Sequence, residues 1–144
     1  MALMEKKWTL VTSLWVGLIF FSSTSMAARS CESFYEFVRT HLLPVWNSPG
    51  GDDRLLHLIA EKGVHFTLFC VFGYFMMHIL RGDALQRVAK VAAFGFLVGS
   101  CSEFLQSLFP GRDPAARDVI INLTSAVIGG LLTLLWWRRK EAIP

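Results

Sequence analysis

Charged side chains are scarce in this sequence. Only 17% of its 144 residues are Asp, Glu, Lys or Arg, whereas about a quarter of a typical soluble domain is charged. The charges lie in short clusters, and long uncharged runs separate these clusters. This distribution argues against an ordinary soluble domain and is typical of a chain that crosses a membrane.

Cysteine and net charge are also low. The three cysteines, Cys31, Cys70 and Cys101, are odd in number and lack metal-like spacing, so neither a disulfide framework nor a zinc site is expected. No metal or cofactor is predicted. The net charge of +3 comes mostly from clusters beside apolar runs, not from a basic patch with exposed aromatics. Nucleic-acid binding is therefore not expected.

Four apolar runs fill most of the chain, at residues 8–28, 63–80, 91–109 and 119–137. Each is close to the ~20 residues that a helix needs to cross the hydrocarbon core. Lipid offers no hydrogen-bond partners to an open backbone, so each run should be helical. The sequence thus predicts an all-α, multi-pass membrane bundle with four transmembrane helices.

Lys and Arg residues indicate how the bundle is oriented. With four spans, both termini and the second connection share one side. That side carries eight of the fourteen basic residues, namely Lys6, Lys7, Arg81, Arg87, Lys90, Arg138, Arg139 and Lys140. Basic residues near span ends favour the cytoplasm, so both termini are predicted to be cytoplasmic in a cell-membrane protein.

The first run permits two interpretations. Lys6 and Lys7 precede an apolar stretch, and small residues at 25–27 follow it, as in a cleaved signal peptide. A retained helix fits equally well, and cleavage would leave three spans. Either choice puts residues 29–61 outside, where the 31–46 stretch is predicted to be an amphipathic surface helix before a turn at 47–53. The predicted domains are then 1–28, 29–61, a membrane core at 62–137 and a basic tail at 138–144.

Polar side chains gather at the outer ends of the predicted spans, with matching depths and helical spacings of three or four residues. They are Lys62, His65, Glu103, Gln106, Arg112, Asp118 and Asn122. Glu103 is the most informative, because a carboxylate inside a span needs a partner or a proton. Lys62 and Arg112 are the cations available to it. The alternative is a buried ion pair that only fixes helix register.

Three motifs in this region resemble the VanZ-like family, which is named for a protein associated with teicoplanin resistance. The first is Lys62-Gly63-Val64-His65-Phe66. The second runs from Glu103 and Gln106 through Pro110-Gly111-Arg112, and the third joins Asp118, Asn122, Ser125 and Gly129, where the family commonly has glycine at the position of Ser125. The resemblance covers about residues 60–130. It implies a small bacterial membrane protein that is sometimes linked to glycopeptide tolerance, and it implies no particular reaction.

Three functional classes follow from these residues. The first is a binding protein whose outward-facing polar site holds an envelope-associated ligand, such as a lipid head group, a cell-wall precursor or a glycopeptide-related molecule. The second is an intramembrane enzyme that modifies an envelope lipid or glycan by acid–base chemistry, with His65, Glu103 and Asp118 as candidates. The third is a small transporter, and the absence of ionisable groups at mid-span argues against it. Membrane lipids are expected partners, and the sequence leaves homo-oligomerisation open.

Overall fold

A computed structural model describes residues 2–27, 33, 36, 40, 53–110 and 114–141, with side chains in the first two helices described from residues 6 and 61 onward. These residues contain four long helices and no strand, which confirms the all-α prediction. The helices are α1 (Ala2–Ser22), α2 (Asp53–Ile79), α3 (Ala84–Ser107) and α4 (Ala116–Glu141). Each of the four predicted runs overlaps one of them.

Two of the four helices, rather than all four, are long and apolar enough to cross a membrane. These are α3 and α4, with 24 and 26 residues. The prediction of four spans is corrected here for a physical reason. α1 carries Lys6 and Lys7 near its start, and the first third of α2 is charged up to Lys62, which leaves a short apolar part interrupted by His65 and His78.

Two predicted boundaries also move. α2 begins at Asp53, ten residues before its apolar run, and α4 continues to Glu141. The basic residues predicted as a tail therefore form the last turn of α4, where cations interact favourably with the helix dipole. Ser33, Glu36 and Thr40 are helical, and the remainder of the predicted amphipathic helix lies outside the described residues. So does the turn predicted at 47–53, apart from Asp53.

Small residues let α2 and α3 approach α4 closely. A β-carbon at Gly73 would overlap the carbonyl oxygen of Ala126, and one at Gly129 would overlap the carbonyl oxygen of Cys70. On α3, a β-carbon at Gly95 would lie 2.9 Å from the Ala126 side chain. Backbones at this separation exclude any side chain between them. Small residues of α3 and α4 therefore lie at these close contacts, and Gly73 supplies the matching surface on α2.

Buried apolar residues of all four helices form one core, which contains Ile19, Phe69, Phe72, Met76, Met77, Val91 and Ala126. α1 is fastened to this core by a hydrogen bond that Trp15 Nε1 donates to the Leu68 carbonyl oxygen, at 2.8 Å. A short connection, in which Gly82 has a φ of 127°, reverses the chain between α2 and α3. Asp83 then caps α3 by accepting a hydrogen bond from the Gln86 backbone N–H. Helices α2 and α3 therefore run antiparallel.

At one end of the bundle, rings from α1, α2 and α4 pack together. Trp8 stacks on His78 with ring centroids 4.2 Å apart, and the Trp137 ring lies 5.2 Å from His78 in a T-shaped arrangement. Tyr74 lies 4.6 Å from His78, whose Nδ1 is 2.9 Å from the Tyr74 carbonyl oxygen. We call Trp8, Tyr74, His78 and Trp137 the aromatic cluster. It brings the start of α1 together with the ends of α2 and α4.

Candidate functional site

The opposite end of the bundle holds six of the seven predicted site residues, and we call these six the polar cluster. They are Lys62 and His65 on α2, Glu103 and Gln106 on α3, and Asp118 and Asn122 on α4. All except Lys62 are buried. The seventh predicted residue, Arg112, lies outside the described residues.

Lys62 and Asp118 form an ion pair across α2 and α4. Lys62 Nζ lies 2.5 Å from Asp118 Oδ2, and the two side chains are 20% and 6% exposed. Arg117, which is largely exposed, places its Nε 3.8 Å from the other carboxylate oxygen. The sequence had offered Lys62 as a partner for Glu103. In the structure Lys62 instead pairs with Asp118, because the two side chains face each other between α2 and α4.

Glu103 joins α3 to the start of α4. Its Oε2 accepts a hydrogen bond of 3.1 Å from the backbone N–H of Ala115, the residue that precedes α4. The first N–H groups of a helix have no partner within that helix, and a carboxylate at this end is favoured by the helix dipole. Glu103 therefore has a structural task that the sequence spacing did not reveal.

Asn122 is the most unusual member of the polar cluster. Its side chain is fully buried, and within the described part of the chain neither its Oδ1 nor its Nδ2 has a hydrogen-bond partner. Gly99 makes room for it, since a β-carbon there would lie 3.1 Å from the Asn122 β-carbon and 3.8 Å from the Phe69 ring. A buried polar group without a partner costs about 1–3 kcal/mol. Stability alone gives no reason for an amide here.

Gln106 on α3 is a second buried amide with an unpaired polar atom in the described chain. It is 3% exposed, and its Nε2 finds no hydrogen-bond acceptor among the described residues. Gln106 and Asn122 thus leave amide donors and an amide acceptor with unused hydrogen-bonding capacity. By contrast, the described residues contain no group of three His, Cys, Asp or Glu side chains arranged to hold a metal ion.

Three serines that sequence reasoning missed connect the end of α1 to this end of the bundle. Ser23 and Ser102 are both fully buried, and their hydroxyl oxygens lie 2.7 Å apart. Ser25 Oγ donates to the Pro110 carbonyl oxygen at 2.8 Å. The four-residue spacing of Ser102 and Gln106 places them on one face of α3, and that signal was available in the sequence.

A comparison of the chain with protein families gives a match over most of its length. The family model described as VanZ/LLP1 matches residues 8–137. The chain belongs to the VanZ/LLP1 family. Its match includes α1 and extends well beyond the 60–130 region in which the motifs of the sequence resemble VanZ-like proteins. Searches of curated proteins and of solved structures find no match.

Membership in the VanZ/LLP1 family accounts for the three motifs but not for their contacts. Lys62 and Asp118 belong to the first and third motifs, and the ion pair joins them directly. Asn122 of the third motif packs at Gly99, which lies four residues before Glu103 of the second. The motifs therefore meet at one end of the bundle, although they are far apart along the chain.

Proposed function

We propose that this VanZ/LLP1 protein is a multi-pass protein of the bacterial cell membrane and that its polar cluster binds the polar group of an envelope-associated ligand. The ligand is a lipid head group, a cell-wall precursor or a glycopeptide-related molecule. Binding it contributes to glycopeptide tolerance.

The observation that carries this proposal is the buried amide of Asn122. A fully buried side chain with two unused hydrogen-bonding atoms is rare in native proteins. Gln106 Nε2 adds a second unused donor at the same end of the bundle. A ligand that both accepts and donates hydrogen bonds would satisfy these atoms.

The contacts of the carboxylates support binding over acid–base chemistry. Glu103 holds the start of α4, and Asp118 is paired with Lys62. The unused hydrogen-bonding atoms of Asn122 and Gln106 belong to amides, which hydrogen-bond well but do not exchange protons near neutral pH. Binding is therefore the better-supported function.

Exposed apolar side chains support the membrane placement. Large hydrophobic residues point outward on every helix, among them Leu14 on α1, Phe66 on α2, Phe96 on α3 and Leu132 on α4. In the most apolar 18-residue stretches of α3 and α4, only 28% and 33% of the residues are buried within the bundle. Continuous apolar surface of this kind needs a cover, and hydrocarbon is the natural one.

The contacts of α1 favour a retained helix over a cleaved signal peptide. Ile19 is fully buried in the core, and Trp15 and Ser23 bond to α2 and α3. Removal of residues 1–28 would expose these partners. The intact mass of the protein purified from membranes tests this point: a mass short of the first 28 residues would contradict retention.

The decisive experiment compares two buried polar residues of α4. A glycopeptide-sensitive strain that lacks the protein is complemented with wild type, Asn122→Leu or Thr133→Val, at membrane levels matched by immunoblot. Thr133 is the control, because it is equally buried but donates its hydroxyl to the Gly129 carbonyl oxygen. Teicoplanin susceptibility and the lipids that co-purify with each variant are then measured.

The expected result is that wild type and Thr133→Val restore tolerance and retain the same lipids, whereas Asn122→Leu does neither. If Asn122→Leu behaves as wild type in both measurements, the polar cluster is a packing feature and the proposal is wrong. If wild type retains a ligand without changing susceptibility, binding stands and the link to tolerance fails.

A further inference from the structure

A crevice separates α1 from α3 along the surface of α2. Its volume is about 310 Å³. The walls are almost entirely apolar apart from hydroxyl groups of α1, and they include Thr12, Val16, Phe72, Met76, Phe94 and Val98. No residue of the polar cluster lines it. The two sides are held apart because α1 packs mainly on α2, through Trp15 and Leu68.

The mouth of the crevice opens on an apolar surface. Phe94 at its edge is 42% exposed, and the neighbouring Phe96 and Leu97 are each 56% exposed. These residues belong to α3, which is long and apolar enough to cross a membrane. Because apolar crevices of this kind are poorly hydrated, a hydrocarbon chain is a better occupant than water.

One end of the crevice approaches the polar cluster. Val98 lies in the crevice wall, and Glu103 follows it by five residues, which is about 7.5 Å along a helix. The Ser23–Ser102 hydrogen bond lies between them and links the same two helices, α1 and α3, that form the crevice. A molecule with an apolar chain and a polar group would fit here, with its chain in the apolar crevice and its polar group at the polar cluster.

We propose that the crevice binds one hydrocarbon chain of a membrane lipid whose polar group reaches the polar cluster. This inference rests on the proposed function and names the ligand class as an amphiphile. Binding of the chain adds affinity with each buried methylene, so excluding even two of them lowers the affinity by about tenfold.

The probe is a phospholipid with a photoactivatable diazirine on one acyl chain, added to the full-length protein in lipid nanodiscs. Labelled peptides are mapped by tandem mass spectrometry. Val98→Trp fills the crevice, and Leu132→Trp is its control, because Leu132 is exposed on α4 and does not line the crevice. Ser13→Trp blocks the mouth of the crevice from an exposed position on α1. It provides the same test if Val98→Trp fails to fold.

We expect labels in wild type on crevice residues of α1, α2 and α3, a drop of about tenfold in Val98→Trp or Ser13→Trp, and no change in Leu132→Trp. Asn122→Leu should lower the same labels, because the polar group loses its site. Labels spread evenly over the outer face of α4, unaffected by Val98→Trp and Ser13→Trp, would overturn the inference while leaving the test of the polar cluster intact.

Labels that Val98→Trp removes but Asn122→Leu leaves unchanged would also overturn it, since chain and polar group would then belong to separate molecules. A third outcome separates the two proposals. If only Asn122→Leu loses the lipids that co-purify with wild type, and no protein is labelled in the crevice, the proposed function is supported and the proposal that the crevice binds a lipid chain is wrong.

Discussion

The two ends of this bundle differ in how well their polar groups are satisfied. In the aromatic cluster, each ring contacts another ring, and cations add further contacts at the same end. Arg87 lies over Trp137 at 5.5 Å, and Lys140 lies over Trp136 at 4.0 Å. In the polar cluster, Asn122 is buried without a hydrogen bond to the described chain, and so is Gln106 Nε2.

This difference suits the aromatic end to stabilising the fold and the polar end to binding a ligand. Aromatic contacts and cation–π contacts each add about 0.5–1.5 kcal/mol, so the aromatic end stabilises the fold. The polar end contains one strong structural contact, Lys62–Asp118, beside amides that lower stability. Residues that a fold retains at a cost in stability are the ones expected to bind something.

The largest expected effect is at the ion pair. Asp118→Leu leaves the Lys62 ammonium without its partner in a mostly buried position, and it should lower the free energy of unfolding by about 3 kcal/mol. Thermal unfolding in detergent, followed by circular dichroism, measures this. Arg117→Gln is the control, with a change under about 0.5 kcal/mol, since Arg117 is exposed. Equal effects of the two variants would contradict the assignment.

A smaller loss is expected at the aromatic end. Trp8→Ala removes ring contacts with Tyr74, Phe75 and His78, and it should destabilise the protein by about 2 kcal/mol without changing lipid retention. Trp136→Ala removes only an exposed ring and its contact with Lys140, so its effect should stay below about 1 kcal/mol. If Trp8→Ala also abolished ligand retention, the two ends would not be functionally separate.

A substitution at Asn122 is expected to increase stability, in contrast to those at Asp118 and Trp8. Asn122→Leu replaces an amide that has no hydrogen-bond partner among the described residues with an apolar side chain of similar size. It should raise the free energy of unfolding by about 1 kcal/mol while abolishing ligand retention. Unfolding of ligand-free protein is the appropriate measurement. A loss of stability greater than about 1 kcal/mol would show that the amide is satisfied in the folded chain.

The smallest effect is expected where α1 meets the polar end. Ser23→Ala and Ser102→Ala, measured singly and together in a double-mutant cycle, should show a coupling of about 0.6 kcal/mol, as is typical of hydrogen bonds between membrane helices. A coupling near zero would indicate that Ser23 and Ser102 do not interact, and the attachment of α1 would then depend on Trp15.

Sequence patterns predicted some of these features and missed others. The four helices follow from the four apolar runs, because hydrophobic composition is a local property of the chain. The role of Glu103 at the start of α4 could not be predicted, since it depends on the path of the connection between α3 and α4. Ser23 was missed because its partner lies 79 residues away along the chain.

The sequence by itself determined the all-helical fold, the family and the gathering of polar residues at one end, because hydrophobic periodicity and helical spacing are written in neighbouring residues. Only the tertiary structure decided that Lys62 pairs with Asp118, that Asn122 is left without a partner in the described chain, and that α1 and α3 enclose a crevice. Those features depend on the distance and rotation between helices, which are set by close packing at Gly73 and Gly129.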